Sequence, residues 1–333
     1  MSVYSDDFLK AIPKTDLHVH LDGSLRLSTL IELARAKGLE LPAWTEEGLR
    51  RTVFKDSYTS LDEYLKGFSL TGAVMDDASS VERIAYELAS DSFAEGVRYI
   101  EVRLAPQLHI RENFQFEQVM AAVAFRDAGG ARIVGFDIAG SERGYPASNH
   151  REAYEYAHRN FLHKTVHTGE AYGAESIFTA ITKCHADRIG HGLLLFSETD
   201  IADPDIVDRS KYVSDLANYI ADRRITVEVC LTSNMQTNPR FADIRNHSLA
   251  LMLEHGLSVT FCTDNRLVSN TSVCAELRLA LDNFRISASR FKDIVIYGFK
   301  RSFRYGSYAD KRTYVRSCID WYEKVAREHG VEY

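Results

Sequence analysis

His18 and His20 lie one residue apart in the run Asp16-Leu17-His18-Val19-His20-Leu21-Asp22-Gly23. On a helix they could not share a face, but on a strand residues i and i+2 point to the same side, so both imidazoles would aim at one point. Imidazole nitrogen is the commonest biological zinc ligand, and two converging rings supply half of a four-coordinate site. An isolated His-x-His is more often a polar pair on a half-exposed strand than a metal site. Three later segments change that balance: His167-Thr168-Gly169-Glu170, Gly190-His191-Gly192 and Thr263-Asp264-Asn265. Together with the first pair they offer three histidines and an aspartate that could bind metal, a further histidine, and a glutamate three residues beyond a candidate ligand. Nitrogen and carboxylate donors without thiolate suit a catalytic zinc that keeps a position open for water.

These residues fall at the ends of predicted strands. Strands are expected through the His-x-His stretch 16–23, at 97–103 and 133–140, then at 163–168, 187–190, 225–230 and 257–262. Helices are expected over Leu25–Lys37 ending at Gly38, from Ser60 onward, over Val81–Glu95 and Phe116–Phe125, and then regularly between the later strands. From Ser60, the residues Leu61, Tyr64, Leu65 and Phe68 form an i, i+3, i+4, i+7 stripe that fits either packing on the body of the protein or a lid over an apolar pocket. Alternating strands and helices imply a mainly parallel sheet. Chemically capable residues at the C-terminal end of nearly every strand favour a closed barrel over an open sheet, because barrel active sites lie there. The expectation is an α/β fold: a TIM-like (β/α) barrel forming one domain over residues 1–333, with extra helices after the first strand and at the C-terminus. Seven strands can be counted rather than eight, since the 26 residues between Pro106 and Ile133 accommodate one helix with its turns but no further strand and helix.

The composition is that of an ordinary globular protein, 45% hydrophobic and 26% charged, with six prolines. A net charge of −7 and the lack of a basic patch argue against nucleic acid or an anionic membrane as partner. The start has no basic segment followed by an apolar core, and no apolar run reaches about 18 residues, so a cytoplasmic protein is expected. The five cysteines include no Cys-x-x-Cys pair, and Cys230 and Cys262, in apolar runs, are expected to be buried.

Six segments together resemble the adenosine deaminases of the amidohydrolase superfamily: residues 13–24, Tyr99-Ile100-Glu101-Val102-Arg103, Gly135-Phe136-Asp137-Ile138-Ala139-Gly140, Val166-His167-Thr168-Gly169-Glu170, Arg188-Ile189-Gly190-His191-Gly192 and Cys230-Leu231-Thr232-Ser233-Asn234. The resemblance runs from about Ile12 to about Thr271 in the family's order. It implies one Zn2+ per chain held by His18, His20, His167 and Asp264, with a purine nucleoside as the small-molecule partner. Glu170 would protonate the purine at N1, and His191 would orient the attacking water and stabilise the developing alkoxide. Gly140 would offer its backbone N–H to N3, where a side chain would obstruct approach. Asp22 would bind the ribose, His20 would border the substrate, and Leu61, Tyr64, Leu65 and Phe68 would form the lid. Where many members carry a second aspartate this chain has Asn265, whose amide can still donate to N7.

Family members also have a third strand and helix between the regions matching Val119 and Ile133, so one β/α unit is absent here. The implied reaction is hydrolytic deamination of adenosine or a related 6-aminopurine nucleoside to the 6-oxopurine and ammonia. Adenine and 6-aminodeoxyfutalosine are the alternative substrates, and a silent zinc- or nucleoside-binding relative is the alternative class. Oligomeric state is not legible.

Overall fold

The computed structural model describes residues 4–105, 115–129 and 132–332. Among these the chain forms seven parallel strands: β1 (Lys14–His20), β2 (Val97–Arg103), β3 (Gly135–Phe136), β4 (His163–Thr168), β5 (Arg188–His191), β6 (Thr226–Val229) and β7 (Val259–Phe261). Strand β1 pairs with β2, and β3 to β7 pair in chain order. The two groups meet where Val19 bridges Asp264, through His20 N–H to the Asp264 carbonyl at 2.7 Å and Asp264 N–H to the His18 carbonyl at 2.8 Å. The ladder therefore runs β2-β1-β7-β6-β5-β4-β3. Between its two ends, β2 and β3, no strand pairing occurs among the described residues. Residues 106–114 and 130–131, which include Pro106 and part of the expected turn at Gly129-Gly130, lie outside the described residues.

Strand β2 coincides with its sequence-based expectation, a seven-residue run rich in branched and aromatic residues, whereas β1 carries the His-x-His pair as expected but starts two residues earlier than the stretch 16–23 and ends at His20. The expected strand 133–140 is cut to Gly135–Phe136. Among the described residues it pairs on one side only, with β4, and Gly135 weakens what remains. The helix expected from Ser60 begins there, with the Ser60 hydroxyl accepting from Glu63 N–H at 3.2 Å. It breaks after Leu65 and restarts as Phe68–Ala73. Three short helices, Asp6–Ala11, Glu46–Thr52 and Leu231–Thr237, were not expected.

The main core lies between β2, β5, β6 and β7 and the C-terminal helices, and includes Phe8, Phe291, Phe299 and Tyr322. Helix Ala288–Arg301 crosses β1 and β7 closely at Gly298, where an added Cβ would meet Thr15 Oγ1 at 2.0 Å. Gly298→Ala should therefore lower stability by about 1–3 kcal/mol, an overpacking effect checked by denaturant unfolding. Unchanged stability would mean that the helix shifts without strain.

Candidate active site at the strand ends

The period-two geometry of β1 places His18 and His20 on one side, with ring centroids 5.4 Å apart. The Nε2 atoms of both lie 3.4 Å from Asp264 Oδ1. His167, at the end of β4, brings its Nε2 within 3.1 Å of His20 Nε2. The four predicted ligands thus converge. His191 also reaches this centre, and ligand atoms of His18, His167, His191 and Asp264 all lie within 4.8 Å of one another. His18 Nε2 is buried without a hydrogen-bond partner although the Asp264 carboxylate and other imidazoles converge around it. Such an arrangement fits a cation.

Carboxylates orient the rings from behind. His18 Nδ1 lies 3.0 Å from Glu228 Oε2, and His167 Nδ1 lies 2.9 Å from Asp137 Oδ2. Each pair is the carboxylate–histidine arrangement that points the opposite nitrogen at a metal. Arg103 joins them, contacting Asp137 at 2.7 Å through Nη1 and Glu228 through Nη2. Arg188 Nε also contacts Glu228, at 2.6 Å. Burial alone would raise the Glu228 carboxyl, but Arg103 and Arg188 reverse this and hold it well below the usual range. Asp264 is likewise held low against burial by His18, His191 and His20. Burial pushes His20 well below the ordinary histidine value, leaving it neutral as a ligand must be.

Glu170 lies on the loop after β4, its Oε2 3.6 Å from His191 Nε2 and its side chain 10% exposed. Burial pushes its carboxyl up to about 8; His167 opposes the shift, while Asp264 and Glu142 add to it. Glu142 holds this loop: Oε1 accepts from Gly169 N–H at 3.1 Å, and Oε2 accepts from Glu170, Ala171 and Tyr172 N–H at 3.0, 2.7 and 3.3 Å. Neither Glu142 nor Glu228 was expected at the site. The signal for Glu228 was a lone acid inside an apolar strand.

The remaining candidates are less uniform. Asp22 and Asn265 are buried beside the ends of β1 and β7, and an added Cβ at Gly23 would meet Asn265 Oδ1 at 1.9 Å. Gly140 adopts φ +111, a conformation available to glycine, with nothing within 4 Å of an added Cβ. The positive φ by itself calls for glycine at this position. The expected lid stripe divides: Leu61, Leu65 and Phe68 are half-buried, whereas Tyr64 is 1% exposed with its hydroxyl 2.7 Å from Ser269 Oγ. Tyr64 anchors this segment to the loop after β7 rather than presenting a face to solvent.

The sequence model of the adenosine deaminase family matches residues 13–132 and 121–321, two pieces that overlap over 121–132, before β3. The adenosine deaminase of Mycobacterium leprae is 36% identical over 338 aligned positions, covering 89% of this chain and 91% of that protein. Since 89% of 333 residues is about 296, about forty positions of that alignment have no residue here. Among solved structures, adenine deaminase from Arthrobacter aurescens superposes with a TM-score of 0.78 at 21% identity, covering 94% of this chain and all of that one. Arabidopsis ADAL in complex with IMP gives 0.75 at 25% identity, covering 97% of this chain and 99% of that one. These neighbours have the same α/β architecture, and the chain belongs to the adenosine deaminase family.

Proposed function

We propose that the protein is a zinc-dependent deaminase converting adenosine, or a related 6-aminopurine nucleoside, to the 6-oxopurine and ammonia. The observation carrying this reading is the convergence of His18, His20, His167 and Asp264 beside a carboxyl raised to about 8. These four residues would hold zinc, which supplies the charge that lowers the pKa of water toward 7. Glu170, with its proton held at neutral pH, gives that proton to purine N1 and so increases the electron demand at C6. His191 steers the attacking oxygen and stabilises the charge that develops on it. Asp22, Gly140 and Asn265 contribute to the binding of ribose, N3 and N7, and Leu61, Leu65 and Phe68 exclude water from the bound base. His20 borders the substrate as well as the ion.

The barrel is shortened by one β/α unit. This accounts for the two-piece family match, the roughly forty aligned positions without a residue here and the lack of pairing between β2 and β3 among the described residues. All residues proposed for chemistry lie outside the gap, and 1–333 forms one domain.

Adenosine turnover by ultraviolet absorbance on zinc-loaded protein, beside adenine and 6-aminodeoxyfutalosine, tests the proposal. Chelation should abolish activity and zinc should restore it. In the metal-free chain, burial and Arg103 push the His18 proton affinity down, but Asp264 and Glu228 bring it above the usual value. Zinc must displace that proton, so its affinity should weaken as pH falls. Stoichiometric zinc without turnover of any of the three substrates would favour the silent binder.

A further inference from the structure

His191 has an outer shell made from two residues with no assigned role. Leu249 N–H donates to His247 Nδ1 at 3.0 Å, and a backbone amide can only donate. His247 is 2% exposed, and burial pushes it down to about 3, so the ring is neutral with its single proton on Nε2. That N–H faces Asn234 Oδ1 at 3.2 Å. The Asn234 amide is thereby oriented with its NH2 toward His191, and Nδ2 lies 3.1 Å from His191 Nδ1. Every donor in this series is set by the one before it.

We infer that Asn234 and His247 are positioning residues that fix His191 in the tautomer whose Nε2 carries the proton and faces the site. A histidine accepting through Nδ1 has no second lone pair for a metal. His191 is thus set apart from the cation's ligands, although its nitrogen lies within the same cluster. It presents an N–H to the reacting oxygen and acts there as a hydrogen-bond donor. The value of this donor to catalysis rests on the proposed deaminase reading; the tautomer does not.

The test is long-range proton–nitrogen NMR on [15N]histidine-labelled protein, metal-free and zinc-loaded, with His191→Gln assigning the signal. The wild type should show a pyridine-type Nδ1 and a protonated Nε2 at His191. Asn234→Asp keeps the shape but only accepts, so it should move the proton to Nδ1. It should also lower kcat about 100-fold with KM changed less than about twofold, the scale of losing one oxyanion donor. His247→Leu should give mixed tautomers, and His247→Gln, which can both accept and donate, should restore the wild-type pattern and most of the lost activity. A protonated Nδ1 in the wild type, or an unchanged His191 in both Asn234→Asp and His247→Leu, would overturn the inference. The expected spectra without turnover of any purine would support the relay and overturn the deaminase reading instead.

Discussion

Glu170→Gln should lower kcat for adenosine by about 10²–10⁴-fold while leaving zinc content unchanged, the range for removing a positioned general acid. Glutamine keeps the shape and can donate a hydrogen bond, but it cannot transfer a proton. In the metal-free chain the wild-type carboxyl holds its proton up to a pH of about 8, chiefly because of burial. The acid form is then present at neutral pH, and kcat/KM should fall on the alkaline side as the proton is lost. A bound cation shifts that limb to lower pH, since its charge favours the carboxylate. The stability consequence has the opposite benefit for the variant. The folded state holds this proton more tightly than the unfolded chain, so the contribution of Glu170 to wild-type stability declines as pH rises from the unfolded carboxyl value through about 8. Glu170→Gln does not titrate, and its melting temperature should exceed that of the wild type at alkaline pH. A variant with more than a tenth of wild-type turnover would remove Glu170 from its role.

Glu228→Ala should have the largest effect on stability, a loss of about 3–5 kcal/mol, because removing one carboxylate from a buried ionic group leaves its cations short of compensating charge. The strand carries this acid to a fully buried position where His18, Arg103, Arg188 and the Thr165 hydroxyl all contact its two oxygens. Arg103 keeps Asp137 and Arg188 keeps Glu101, but each guanidinium loses one of its two carboxylate partners and His18 Nδ1 loses the carboxylate behind it. The loss should be accompanied by a 10–100-fold weaker zinc affinity, since His18 loses the carboxylate that orients it. Denaturant unfolding and metal competition measure the two effects separately. Wild-type values for both would show that the network is redundant.

The site was legible where side-chain chemistry coincides with strand periodicity. His18 and His20 declare their common direction by their spacing, and His167 and Asp264 follow from motifs at strand ends. Their supports were less visible because each is far away in the chain. His18 meets Glu228 across 210 positions, and Glu142 reaches forward to the loop after β4. His247 lies in a loop with no periodicity, and its importance comes from the polarity of Leu249 N–H. The helix Leu231–Thr237 has no amphipathic signature because it buries Ser233, Asn234, Gln236 and Thr237 instead of an apolar stripe. Strand β3 is shorter than the strand-like composition from Ile133 implies, because its length depends on neighbours that composition does not reveal.

Arg103 ends β2, and Asp137 immediately follows β3, so their ion pair spans the break in the ladder. The same guanidinium reaches Glu228, and its two carboxylate partners each receive a histidine on the other side. One side chain therefore braces the fold and sets the aim of two proposed ligands. Lysine has the charge but lacks the planar fork that can serve both acids at once. Mutational drift at position 103 is thus confined from two directions: a substitution tolerated by the architecture must also preserve the bearing of both imidazoles, and neither property can evolve without the other.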